Sequence, residues 1–181
     1  YTQEEGVPDD SQTETFAALK LQIDNWRWKG VPFYIRCGKA LSCRTTQIVI
    51  QFREPPHVMF ADRKSYKPQA NRLIIQIQPA EGLQVQFQSK VPDEEMRMRL
   101  SDLDFRFDTR GQELPDAYQR LLQDAIMGDA SLFARSDEVD QAWQIIDPII
   151  GAWRSPAAPT LWQYEEGFWG PPQCSEWMAE Q

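Results

Sequence analysis

The chain has 181 residues, of which 41% are hydrophobic and 25% charged, an ordinary make-up for one soluble globular domain whose length allows a real core. Its net charge of −8 excludes a general nucleic-acid binder, which needs a basic face to neutralise phosphates. No stretch approaches the ~20 consecutive apolar residues of a membrane span, and 12% aromatics argue against disorder.

Residues 1–13 are polar and acidic and contain Gly6 and Pro8, the composition of a linker or tail. From Glu14 the pattern has period two, with Phe16 and Ala18 on one side and Ala17, Leu19, Leu21 and Ile23 on the other. It predicts a long strand, punctuated by Gly30 and Pro32, and a short second strand over Val31–Arg36. Three more alternating runs follow: Ile48, Ile50, Phe52; Leu73, Ile75, Ile77; and Leu83, Val85, Phe87. Glutamines lie between many of them, as suits a sheet with one wet face. Met96, Met98 and Leu100, then Leu103, Phe105 and Phe107, continue the pattern more weakly. Strands without intervening helices predict antiparallel pairing.

After Gly111 the period becomes helical. Pro115 suits a first helical position, and Tyr118, Leu121, Leu122, Ala125 and Ile126 form a stripe that ends at Gly128. A second helix is expected with Ser136 as N-cap and Asp137 and Glu138 in its first turn. Its stripe is Val139, Ala142, Trp143, Ile146, Ile149, Ile150 and Trp153, with Pro148 expected to kink or split it. The segment from Ser155 has four prolines and three tryptophans and is expected to be irregular yet packed. The fold class is therefore α+β: a large, mostly antiparallel sheet with helices on one face.

Chemistry-bearing patterns are few. The one histidine, His57, follows two prolines and has no carboxylate at a suggestive spacing, so it reads as a loop residue more readily than as a general base. Cys37, Cys43 and Cys174 form neither a disulfide framework nor a zinc motif, which points to a reducing, cytoplasmic setting. No metal cluster and no Gly-rich phosphate loop occurs. The chain starts at Tyr1 without an initiator Met, a basic n-region or an apolar h-region, so no signal peptide is expected and the sequence reads as part of something longer. The acidic pairs Glu94–Glu95, Asp102 with Asp104, and Glu165–Glu166 read as solvated faces.

One asymmetry stands out. Between Asp24 and Glu54 lie Arg27, Lys29, Arg36, Lys39, Arg44 and Arg53 with no acid, and three of these bracket a glycine turn at Gly38. Lys39 and Arg44 could serve an anion or hydroxyl oxygens; a solvated basic turn explains them equally well.

Several segments together resemble a known family. They are Glu14–Leu19, Ile23-Asp24-Asn25-Trp26-Arg27-Trp28, Gly30-Val31-Pro32-Phe33-Tyr34-Ile35-Arg36-Cys37-Gly38-Lys39, Leu114–Leu121, and Phe133–Glu138 with Ala142-Trp143. In this order they resemble the C-terminal domain of the NADP-dependent glucose-6-phosphate dehydrogenases, from about Glu14 to beyond Pro171. The resemblance implies a large sheet that forms a homodimer interface, and an N-terminal Rossmann half, not in this sequence, that holds NADP, the catalytic His–Asp pair and the phosphate grip. By it, residues 1–13 are a linker from that half, and 14–181 line the substrate and dimerise. Lys39, Arg44 and Gln78, just before Pro79, match the family's contacts to glucose 6-phosphate, Lys39 and Arg44 as donors to sugar hydroxyls; no residue here matches a catalytic position. Some members bind a second, structural NADP in this domain. Arg36 is kept from that set, but Thr45, Val49, Gln76 and Gln86 stand where those members are basic, so no such site is expected here. The rival reading is a non-catalytic, self-associating or regulatory module of the same fold. The NADP-over-NAD choice belongs to the missing half.

Overall fold

The computed structural model describes residues 1, 4–55, 69–92, 97–107 and 117–179. The chain divides into two units, Tyr1–Cys43 with Pro115–Gln181, and Arg44–Leu114. The elements confirm an α+β protein: six strands in two antiparallel sheets and three helices among the described residues.

In the first unit, β1 (Phe16–Gln22) pairs with β2 (Pro32–Gly38), from Phe16 opposite Gly38 to Gln22 opposite Pro32. The turn between them is held by Asn25, whose side-chain oxygen accepts from the backbone N–H of Arg27 and Trp28 at 3.1 and 2.9 Å, a local alternative to regular structure that Asn favours. Period-two alternation gives this ribbon two faces. Phe16, Ala18, Lys20, Tyr34 and Arg36 share one of them, and the C-terminal segment lies against it. Tyr34 meets Trp177 edge-on at 5.7 Å, Arg36 lies 5.2 Å over the Trp169 ring, and Phe16 meets Tyr164 edge-on at 5.6 Å. Such pairs contribute roughly 0.5–1.5 kcal/mol each beyond their burial.

Helix α1 (Ala117–Met127) ends where expected, at Gly128 with φ 73°; the expected start at Pro115 lies outside the described residues. Asp124 is buried and accepts Arg120 Nε with both carboxylate oxygens, each at 3.0 Å. Helix α2 (Ser136–Trp153) requires one correction, at its start. Arg135, with extended φ −75° and ψ 154°, is the N-cap, and Ser136 is the first helical residue. Glu138 reaches back to accept the Arg135 N–H at 3.0 Å, so the acid three residues on satisfies the helix start from the other side. Pro148 lies inside one continuous helix and does not split it; its cost is one missing backbone donor. The segment from Ser155, expected to be irregular, also holds a short helix, α3 (Pro172–Ala179), with proline at its first position. Cys174 on α3 is buried.

The second unit is one sheet in the order β3 (Thr46–Gln51), β4 (Arg72–Gln78), β5 (Gly82–Lys90), β6 (Met98–Arg106), antiparallel throughout. The register puts Ile48, Ile75, Leu83 and Phe105 in one row, and Ile50, Leu73, Val85 and Leu103 in the next. The other face carries Gln84, Gln86, Asp102 and Asp104. The apolar face, expected to be buried, stays partly open: Leu103 is 62% and Phe105 56% exposed. Solvated apolar rows of this extent are a surface that seeks a cover.

Candidate functional site

The three residues singled out from the sequence fall at strand ends, where side chains leave a sheet without being buried by it. Lys39 belongs to the first unit, Arg44 and Gln78 to the second.

Lys39 directly follows Gly38, the last residue of β2, and is exposed. Its backbone is held at both ends. The N–H donates to the Thr15 carbonyl at 2.9 Å, and the carbonyl accepts from the Tyr164 hydroxyl at 2.8 Å. That hydroxyl also stands 3.1 Å from the Thr15 carbonyl and 3.4 Å from its hydroxyl. Further along the turn, Ala40 adopts φ 47°, a left-handed conformation uncommon for alanine. Its carbonyl accepts from the Gly167 N–H at 2.9 Å, and the Ser42 N–H donates to the Phe168 carbonyl at 3.1 Å. Residues 164–168 thus splint the turn that presents Lys39.

Phe16 gives this splint its floor. A Cβ on Gly38 would stand 2.7 Å from the Phe16 ring, and one on Gly170 would overlap it, so the ring lies between two glycines that admit it only because they lack side chains.

Arg44 is exposed and precedes Thr45, whose hydroxyl donates to the Gln78 carbonyl at 3.1 Å. The Gln76 amide donates to Thr45 Oγ1 at 2.7 Å and also bonds the Gln78 carbonyl. Thr46 lies opposite Gln78 but Gln47 lies opposite Gln76, so Ile77 is an extra residue at a bulge. A bulge turns side chains away from the regular pleat, and here it does so beside Gln78, whose peptide bond to Pro79 is cis. Thr45, the residue after Arg44, is therefore tied to the backbone of Gln78. Chemically, the three residues supply an ammonium, a guanidinium and an amide: donors for hydroxyl or anionic oxygens.

The other candidates are plain. His57, Glu94 and Glu95 lie outside the described residues. Asp102 and Asp104 are exposed on the glutamine face, and Glu165 and Glu166 are exposed. Among the described residues no three His, Cys, Asp or Glu side chains could hold a metal, and no helix is long and apolar enough to cross a membrane. Cys37 and Cys43 are exposed thiols; burial pushes the Cys174 thiol up from its ordinary value, partly opposed by Arg36. Hydrogen bonds from the Ser131 hydroxyl and N–H hold the Asp129 carboxyl below its usual value. Tyr164 was missed from the sequence. Its partners lie 125 and 149 residues away, and the one local sign was an apolar, proline-rich tail fit to pack back.

Comparison with known proteins adds three findings. The family model described as "Glucose-6-phosphate dehydrogenase, C-terminal domain" matches residues 1–181. The chain is 44% identical over 181 residues to the glucose-6-phosphate 1-dehydrogenase of Aggregatibacter actinomycetemcomitans, covering 99% of this chain and 35% of that protein, and 42% identical over 176 residues to glucose-6-phosphate 1-dehydrogenase 2 of Mycobacterium bovis, covering 97% and 34%. A solved glucose-6-phosphate dehydrogenase in complex with its substrate glucose 6-phosphate superposes with a TM-score of 0.87 at 35% identity, over 99% of this chain and 36% of that one. The chain spans about a third of the length of the curated relatives it matches.

Proposed function

Since the chain belongs to the family of glucose-6-phosphate dehydrogenase C-terminal domains, we propose that it is the substrate-lining part of an enzyme that oxidises glucose 6-phosphate at C1. The observation that carries this reading is the match of all 181 residues to that family model. In the reaction the C1–H bond breaks and its electron pair leaves as hydride; the C1 hydroxyl proton goes to a base outside this chain, and the product is the 6-phosphogluconolactone. NADP, held by an N-terminal Rossmann domain of the same protein, supplies the hydride acceptor.

The part of this chain is positioning. Lys39 and Arg44 donate hydrogen bonds to sugar hydroxyls near C1, and the Gln78 amide holds a further oxygen. Placement of C1 against the acceptor controls the rate steeply, since a misplacement of about 1 Å can cost on the order of a hundredfold. The fixed backbone of Lys39 supports this role: a pinned peptide limits where a long ammonium arm can reach. By itself the chain is inactive, because its sequence contains no dinucleotide fingerprint and a single histidine.

A second, structural NADP does not fit the residues present. Thr45, Val49, Gln76 and Gln86 bring no positive charge to a phosphate, the Gln76 amide is already committed to Thr45 and Gln78, and the Arg36 guanidinium covers Trp169. The open apolar face of β3–β6 supports a homodimer formed through the sheet. Cysteines that suit a reducing compartment support a cytoplasmic location.

The test is reduction of NADP or NAD by the full-length protein that contains this chain, with glucose 6-phosphate as donor. Turnover with NADP supports the reading, and turnover only with NAD corrects the cofactor. A folded protein that reduces neither overturns the reading in favour of a non-catalytic module.

A further inference from the structure

We infer that Tyr164 is a positioning residue for the oxidation of the sugar, acting through the backbone of Lys39. The inference rests on the reading of Lys39 as a substrate contact and names what fixes that contact in place. Four observations carry it. Lys39 is exposed, and among the described residues its ammonium has no hydrogen-bond or ion-pair partner, so only its backbone fixes the point from which the side chain reaches out. That backbone has two polar groups and both are held, the N–H by the Thr15 carbonyl and the carbonyl by the Tyr164 hydroxyl. The Tyr164 bond is the shorter, at 2.8 Å against 2.9 Å, and the only one of the two made by a side chain. Finally, the Tyr164 ring is itself oriented, meeting Phe16 edge-on with 61° between planes, and Phe16 sits on Gly38, the residue before Lys39.

The phenol has one hydrogen to give. At 2.8 Å the Lys39 carbonyl is its nearest acceptor, well within the normal range for such a bond. Without it, the Lys39 carbonyl loses its partner and the turn is held only by the Lys39–Thr15, Gly167–Ala40 and Ser42–Phe168 backbone bonds. Ala40 then has every reason to leave its left-handed conformation, since that conformation is unfavourable for a residue with a Cβ. A shift of the turn that accompanies this change moves the Lys39 Cα and the bond that carries its side chain. Together with the Gly167–Ala40 and Ser42–Phe168 bonds, the hydroxyl therefore holds the turn that presents the ammonium, while taking no part in substrate contact itself.

The experiment uses the full-length dehydrogenase containing this chain, as wild type, Tyr164→Phe, Lys39→Ala and the double variant. Phenylalanine keeps the edge-to-face contact with Phe16 and removes the hydroxyl alone. The expected result is a fall in kcat/KM for glucose 6-phosphate of between about two- and tenfold in Y164F, the range that loss of one neutral hydrogen bond corresponds to, with KM for NADP unchanged. In the Lys39→Ala background the same substitution adds nothing, because the side chain being aimed is gone. Such non-additivity is the signature of residues that act as a unit. Wild-type kcat/KM in Y164F, with K39A impaired, overturns the pinning and leaves Lys39 as a substrate contact. An equal loss in both backgrounds, or a matched rise in KM for both substrates, shows general loosening and also overturns it. Wild-type kinetics in K39A removes the substrate role of Lys39, and the inference falls with it.

Discussion

Replacing Gly170 by alanine puts one methyl group where the edge of the Phe16 ring already lies. The added Cβ would overlap Cε2 of that ring and stand 2.7 and 2.9 Å from Cζ and Cδ2. The ring cannot retreat toward β2, because it is already packed on Gly38, where a Cβ would stand 2.7 Å from Cδ2. Either the ring leaves its slot or the segment around residue 170 lifts from the sheet, a repacking that costs roughly 1–3 kcal/mol. A second cost is conformational. Gly170 has φ 100°, and a left-handed backbone costs an L-residue with a Cβ roughly 1–2 kcal/mol. Together these predict a loss of about 2–5 kcal/mol. Gly167→Ala is the control: φ there is 84° and nothing stands within 4 Å of the added methyl, so it meets the conformational cost alone. The stiffening of the unfolded chain by alanine, worth about 0.4–1 kcal/mol, is common to both and cancels in the comparison. Urea unfolding followed by tryptophan fluorescence should place G170A below G167A by about 1–3 kcal/mol. Repeating the pair on a Phe16→Ala background should erase the difference, since the ring that the methyl strikes is gone. Equal destabilisation of G170A and G167A, or a difference that survives F16A, refutes the packing argument.

Three further predictions concern the same unit. Lys39→Ala in the full-length protein should lower kcat/KM for glucose 6-phosphate by at least about tenfold, as loss of a charge-assisted hydrogen bond of about 1.5–3 kcal/mol requires; steady-state kinetics check it, and an unchanged value sinks the role. Ala40→Val should destabilise the protein by more than about 1 kcal/mol, because a β-branched residue is a poor fit to φ 47°, whereas Ala40→Gly should be neutral or stabilising; thermal melting of the two variants shows the order. Cys174 is held above its ordinary value of 9.0 by burial. The unfolded chain ionises that thiol first as pH rises, so stability is fully present below about pH 9 and is lost as pH climbs toward the raised folded value. Unfolding titrations across this window should show a slope that Cys174→Ala reduces, and thiol labelling of the native protein should reach Cys174 after Cys37 and Cys43.

Local pattern was enough to read the strands. Alternation of Ile48, Ile50 and Phe52, then Leu73, Ile75 and Ile77, then Leu83, Val85 and Phe87, marks three strands because side chains of a strand point to opposite faces in turn. Their glutamine-bearing partners told the second face. The helices after Gly111 were legible from the 3.6-residue stripe, and so was the stop at Gly128, but not the N-cap of the second. Ser136 has the composition of an N-cap, yet Arg135 occupies that position because Glu138 satisfies the free N–H from three residues downstream. Helix α3 went unread: eight residues behind a proline carry too few turns for a period to show.

What the sequence by itself determined was the α+β class, the succession of strands along the chain, and the family through its ordered segments, whose resemblance singles out Lys39, Arg44 and Gln78. The class and the strands depend on spacing between neighbours in the chain, whereas the three residues follow from the resemblance of the ordered segments. Only the tertiary structure decided what holds Lys39. Its carbonyl meets a hydroxyl from a residue 125 positions away, its preceding glycine bears on Phe16, and Phe16 in turn depends on Gly170. Likewise, the bulge at Ile77 and the network of Thr45, Gln76 and Gln78 exist only once β3 and β4 have chosen their register. Contacts between distant segments leave no periodic trace in either one, since each residue's type is compatible with many partners and the fold selects among them.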